Sequence, residues 1–221
     1  MVKFGENPIL FKINWMNREY FDTANSARFV LGNAFHSAME TYYGGSDELP
    51  ITNESEAIRY GLERGTQFLE AYNDGFINFT TTLPNKESMI EKFVFAFNSY
   101  IKEVPYNNGD KILLIEQKLE HQVSVVWRGK QLDMPLPLVG RLDKVVERDG
   151  KVKIIDYKTA SSFSSEEKID GHKFMQAVAY YLLVYAELGV EPYSMIYQEV
   201  KLPKNRDGSP QVREYELVFA E

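Results

Sequence analysis

A chain of 221 residues, 44 % hydrophobic and 26 % charged, has the size and make-up of a globular protein with a substantial core. It has no cysteine, which excludes disulfides and cysteine-held zinc or iron–sulfur sites, and no apolar run approaches the roughly 20 residues of a membrane span. Its formal charge of −7 excludes a general basic field for nucleic acid, but residues 141 to 206 hold 11 Lys and Arg against 10 Asp and Glu, which leaves room for a local basic groove.

The first residues, MVKFGENPILFKINW, lack a signal-peptide layout because Glu6, Asn7 and Lys12 break up the apolar ones, so a cytoplasmic location is expected. Residues 1 to 20 are mixed and read as irregular structure. From Ser26 the spacing is helical: Phe29, Val30, Phe35, Met39 and Tyr42 or Tyr43 recur at three- and four-residue steps until Gly44-Gly45. Gly32 and His36 are i and i+4 on this helix. Asp47 to Pro50 is a loop, and Asn53 or Ser55 can cap a second helix running to about Tyr72, whose apolar set includes Leu62, Phe68 and Leu69. Pro84 and Asn85 break the chain. A third helix, Glu87 to Lys102, carries an aromatic stripe that reads as core, and Pro105 to Asp110 forms a turn.

Strands begin at Lys111. The run ILLIEQKLEHQVSVVW is one long strand or two joined by a bend, with Glu116 interrupting its apolar start. Glu116 is equally consistent with an acid at or beside an active site and with an ordinary edge-strand charge. Gly129-Lys130 reads as a turn. Ser161 to Gly171 is polar, a loop with a short helical start. Lys173 to Leu188 is a strong helix stopped by Gly189 and Pro192, with Gln176 and Tyr180 on one face. Ser194 to Leu202 reads as a strand, PKNRDGSP as a hairpin turn, and Val212 to Phe219 as the last strand. Without repeats, low-complexity tracts or linkers, one α/β domain over residues 1–221 is expected. Its mainly helical part covers 1–105 and its sheet core 111–221.

The stretch Leu138 to Ala160, LVGRLDKVVERDGKVKIIDYKTA, organises the rest. Two β-branched runs flank Asp149-Gly150, a strong hairpin signal. A two-residue loop pairs residues whose numbers sum to 299, so Asp143 falls across from Asp156, and Lys158 shares their face. Opposed residues hold their Cβ atoms roughly 4.5–5.5 Å apart. Two carboxylates at that distance repel unless a cation lies between them, and hard divalent ions take oxygen ligands at that reach.

Gly140-Arg141-Leu142-Asp143, Asp156-Tyr157-Lys158-Thr159, Gln176 with Tyr180, and Gly32-Asn33-Ala34-Phe35-His36 upstream together resemble the RecB-type branch of the PD-(D/E)XK nucleases, in the family's order and over roughly residues 30 to 200. The branch includes CRISPR-adaptation and phage exonucleases. Several relatives carry a four-cysteine iron–sulfur cluster, which this chain cannot form.

The resemblance implies a restriction-endonuclease-like α/β core, a mixed β-sheet flanked by helices with an N-terminal helical region. It also implies a metal-dependent DNA exonuclease of recombination, repair or phage replication. A structure-specific endonuclease on flaps or nicks is the alternative within the enzyme class, and a non-catalytic DNA-binding scaffold the alternative outside it. The expected cofactor is Mg²⁺ or Mn²⁺, held by Asp143, Asp156, the carbonyl of Tyr157 and, through the Gly-x-x-x-His motif, His36. Lys158 would act on the attacking water, with a pKa lowered by the nearby metal and by partial burial. Glu116, Arg141, Gln176 and Tyr180 would support the site or hold DNA. The expected partners are single-stranded DNA or duplex ends and a recombination or replication protein, with no membrane association.

Overall fold

The structure, a computed structural model, describes residues 24–44, 51–106, 109–122, 124–133, 136–164 and 171–219. The stretch 1–20 read as irregular, the loop Asp47–Pro50 and part of the loop after Ser161 lie outside these residues.

In chain order the elements are β1 (Asn25–Ser26), α1 (Ala27–Tyr42), α2 (Glu54–Ala71), a short 3₁₀ turn (Asp74–Phe76), β2 (Ile77–Asn78) and α3 (Lys86–Glu103). Then come β3 (Lys111–His121), β4 (Ser124–Trp127), β5 (Lys130–Asp133), β6 (Leu138–Arg148), β7 (Lys151–Ala160), α4 (Gly171–Leu188), β8 (Ser194–Lys201) and β9 (Val212–Val218). Side-chain oxygens set the helix starts. Ser26 caps α1 by accepting from the Phe29 N–H, Asn53 caps α2, and Asn85 caps α3 in a reciprocal box with Ser88. Each such cap contributes about 1 kcal/mol.

Five strands form one mixed sheet in the order β3-β6-β7-β8-β9. Within this sheet only β7 and β8 are parallel, and α4 provides the long crossover such a pair requires. The fold is therefore α/β with a mixed sheet flanked by helices, as a restriction-endonuclease-like core demands. Helices α1 and α3 cover one face, where Phe35, Phe93, Phe97 and Tyr100 meet Ile155, Tyr157 and Ile196. Helix α4 covers the other, where Ala177, Leu183 and Val184 meet Leu142, Val145, Ile154 and Tyr197. Each large side chain buried this way stabilises the fold by roughly 1.5–3 kcal/mol before chain entropy is counted.

The β6–β7 hairpin has the expected register: Arg148 pairs with Lys151 and the ladder runs to Lys144 and Ile155, every pair summing to 299. Asp149 and Gly150 both take positive φ, 53° and 71°, as a two-residue turn of this hand needs.

The run after Lys111 is two strands, one of the two expected readings, and they belong to different sheets, since among the described residues β4 pairs only with β5. Other details differ from expectation. The turn between β4 and β5 is Arg128-Gly129, both at positive φ, and Lys130 already belongs to β5. Helix α4 begins two residues before Lys173, and residues 161–164 are not helical. The two-residue strands β1 and β2 are too short to leave a periodic trace in sequence.

Candidate active site

Three carboxylates lie in one row across three neighbouring strands. In β3 and β6, the pairs Ile115–Lys144 and Gln117–Leu142 bracket Glu116 and Asp143. In β6 and β7, the pair after Lys144–Ile155 would be Asp143 and Asp156, but the ladder stops there. Asp143 interrupts it: its Oδ2 accepts the Tyr157 N–H at 2.7 Å, a donor that a β6 carbonyl would otherwise take. On the other side Glu116 takes φ 43°, a left-handed conformation rare outside glycine. The sheet thus opens on both sides of Asp143. All three acids are nearly inaccessible, at 8 % for Glu116, 5 % for Asp143 and 1 % for Asp156.

Buried carboxylates need partners, and each has them. His36 reaches over from α1, its Nδ1 lying 3.0 Å from Glu116 Oε1 and 3.2 Å from Asp143 Oδ1. Arg141 Nε donates to Glu116 Oε2 at 2.8 Å, and its Nη2 lies 3.5 Å from Glu40 Oε2. Lys158 Nζ is 2.6 Å from Asp156 Oδ2, and Gln176 Nε2 donates to Asp156 Oδ1 at 2.9 Å. Tyr180 donates its hydroxyl to the Arg141 carbonyl at 2.8 Å, which ties α4 to β6 beside the site.

These contacts set the charge states. Burial alone would lower the His36 pKa, but hydrogen bonds to Asp143 and Glu116 outweigh it and push it up to about 10. Burial pushes Asp156 up to about 6, against the attraction of Lys158. Burial also disfavours the Lys158 ammonium, yet Asp156 and Asp143 more than compensate, and its pKa lies above the ordinary lysine value. The lowering expected for Lys158 rests on a nearby metal as well as on burial; with burial alone, the two close carboxylates win over desolvation and favour the ammonium.

All nine residues singled out in the sequence except Tyr157 contribute side chains to this region. Tyr157 offers its amide to Asp143 while its ring is buried between Phe35, Tyr43 and Tyr100. The grouping differs from the expected one in one respect. The ligand atoms of His36, Glu116 and Asp143 lie within 4.8 Å of one another, whereas Asp156 is turned toward Lys158 and Gln176. One imidazole and two carboxylates make a donor set suited to a small divalent cation such as Mg²⁺ or Mn²⁺. Asp156 completes the row at its edge.

The row floors a cavity of about 550 Å³, which Asn33, Ser37 and Glu40 of α1 and Arg64 and Phe68 of α2 also line. Sequence reasoning gave none of these five a role at the site, and Asn33 entered only as part of the Gly32–His36 stretch. Glu40 stands four residues past His36, a helical spacing that could have flagged it. Phe68 was counted as core, and nothing in the sequence connects α2 to the hairpin.

Gly140 of the Gly-Arg-Leu-Asp stretch has a packing reason, because a Cβ there would come within 2.6 Å of Leu183 Cδ1 and 3.2 Å of the Tyr180 ring. At Gly32 a Cβ would meet Thr159 Oγ1 at 3.6 Å, an ordinary contact. The approach of α1 to the sheet does not depend on that glycine.

A family model described as the PD-(D/E)XK nuclease superfamily matches residues 10–218. No curated protein is significantly similar in sequence. Among solved structures, one described as "Crystal structure of SSO0001" is similar at 15 % identity and a TM-score of 0.32, over 96 % of this chain and 76 % of that one. A likeness at that level carries no further argument.

Proposed function

The chain belongs to the PD-(D/E)XK nuclease superfamily, and from that premise we propose that it is a Mg²⁺- or Mn²⁺-dependent DNA exonuclease of the RecB-type branch, acting through a single nuclease domain. Its setting would be recombination, repair or phage replication in the cytoplasm of a bacterial or infected cell. The observation that carries the reading is the row Glu116, Asp143, Asp156 with His36 at one end and Lys158 at the other, all facing one cavity. A structural role alone gives no reason to bury three acids and open a sheet around them.

His36, Glu116 and Asp143 would hold the cation. When bound, it would neutralise the scissile phosphate and activate a water. The protein's own groups do the rest. His36 must give up the proton it holds in the ion-free state, since only the neutral ring ligates. Gln176 and Lys158 fix the Asp156 carboxylate from two sides. The Lys158 ammonium stays charged and stands where it can stabilise negative charge building on the phosphate oxygens. Arg141, clamped by Glu116, keeps that acid aligned.

The test is incubation with end-labelled single-stranded and duplex DNA in Mg²⁺, Mn²⁺ or EDTA, with closed circular DNA as control. The expected result is metal-dependent loss of label from linear DNA with circles left intact. Cleavage of circles would replace exonuclease with endonuclease, and no cleavage in either ion would overturn the proposal.

A further inference from the structure

We infer that α2 forms a nucleotide-binding wall of the cavity, on which Phe68 stacks an unpaired base while Arg64 holds a phosphate of the same strand, so that the site selects single-stranded DNA. The inference rests on the nuclease reading and narrows its substrate.

Arg64 and Phe68 are i and i+4, one above the other on a single face of α2, and both line the cavity that holds Asp143, Asp156 and Lys158. The helix is set firmly. A Cβ at Gly61 would lie 2.7 Å from the Phe97 ring and 3.1 Å from the Ala38 carbonyl, so α2 sits closer to α1 and α3 than any side chain there would allow. Phe68 is half-buried, its lower part on the core and its ring braced by Tyr72, 6.0 Å away at a 38° tilt. It is thus a rigid aromatic surface in a cavity otherwise lined mainly with charged and polar groups.

Charge pairing separates Arg64 from the other cations. Lys158 is paired with Asp156, and Arg141 with Glu116 and Glu40. Among the described residues Arg64 donates only to the neutral Ser37 hydroxyl, at 3.2 Å, and no carboxylate lies within ion-pair distance of it; Glu40 acts on it only at longer range. A guanidinium without a contact ion pair at the mouth of an acid-floored cavity is placed for a phosphate that the floor itself repels. A duplex hides its base faces in the stack. Only an unstacked base can lie flat on Phe68, which is the means by which proteins choose single strands.

Full-length protein carrying Lys158→Ala, in Mg²⁺, is titrated with single-stranded and blunt duplex oligonucleotides by fluorescence anisotropy. A 2-aminopurine base near the strand end reports stacking by quenching. Single strands should bind more tightly than duplex, with quenching. Adding Phe68→Leu, which keeps the apolar packing, should weaken single-strand binding about tenfold and remove the quenching. Phe68→Tyr should retain both. Adding Arg64→Gln should reduce the salt slope of single-strand binding by about 0.7. Unchanged affinity and quenching in Phe68→Leu, or duplex bound as tightly as single strand, would overturn the inference. Cleavage by the unmodified protein is read separately. Its absence alongside intact single-strand binding would sink the nuclease reading and not this one.

Discussion

With its ammonium 2.6 Å from Asp156 and drawn also by Asp143, Lys158 keeps its proton well above neutral pH and serves as a fixed positive charge. It cannot ligate a cation. Lys158→Ala should therefore abolish cleavage while leaving Mg²⁺ or Mn²⁺ affinity within a few-fold, as calorimetric titration beside a nuclease assay would show. Substantial residual cleavage would remove the residue from the chemistry. Glu116 and Asp156 invite the complementary comparison. Because Glu116 groups with His36 and Asp143 while Asp156 faces Lys158, Glu116→Gln should weaken metal binding more than Asp156→Asn does. The reverse order in the same titration would mean that Asp156, not Glu116, completes the ligand set.

Two basic groups, the half-buried His36 and the buried Lys144, give the ion-free protein opposite pH responses. His36 has a folded pKa of about 10 against 6.5 unfolded, so its stabilisation is full below pH 6.5 and is lost as pH rises through 10. Lys144, 2 % exposed and with its ammonium 3.6 Å above the Tyr43 ring, is pushed down by burial to about 7. Between pH 7 and 10.5 the unfolded chain binds a proton there that the folded one does not, so stability rises with pH, by about 1.4 kcal/mol per unit at most. The two slopes oppose each other between pH 7 and 10. Lys144→Met should unmask a decline over that range in EDTA, and His36→Gln a rise. Denaturant midpoints at three or four pH values decide it, and parallel profiles for the two variants would refute the assignment.

At the scale of elements, the β6–β7 hairpin was the most legible part of the site. A turn of two residues and a period of two leave no freedom in which residues face each other, so Asp143 and Asp156 could be placed from sequence numbers. The third acid could not. Glu116 joins the row only because β3 pairs with β6 across an irregularity between Ile112 and Leu114, and because its own backbone adopts a left-handed turn. Neither leaves a compositional mark. Nor does local pattern place α1 against the sheet so that His36 meets β3 and β6; only the family motif pointed there. The motif glycines also divide, since a side chain at Gly140 would displace the end of Leu183 and crowd the Tyr180 ring, whereas Gly32 has nothing within close reach. Gly140→Ala should cost about 1–3 kcal/mol by overpacking, a fall of about 2–12 °C in Tm, with metal affinity retained. An unchanged Tm would show that α4 yields to the added methyl.

Over the whole molecule, the proposed nucleic-acid site of this acidic chain rests on charges concentrated in one cavity rather than on an overall basic field. The cavity sets four carboxylates, Glu40, Glu116, Asp143 and Asp156, against Arg64, Arg141, Lys158 and a protonated His36. If His36, Glu116 and Asp143 take up a divalent cation as proposed, the balance would tip toward a phosphate. The order of predicted helices and strands pointed to the α/β class, and the motifs to the family, but the α2 wall depends on packing between helices distant in sequence from the hairpin. The central claim is that one cation sits among His36, Glu116 and Asp143, and it is tested most directly by pulsed EPR of the Mn²⁺-loaded protein. Coupling of the manganese to a single imidazole nitrogen, lost in His36→Gln, is the predicted result; bound Mn²⁺ without nitrogen coupling in the unmodified protein would contradict it.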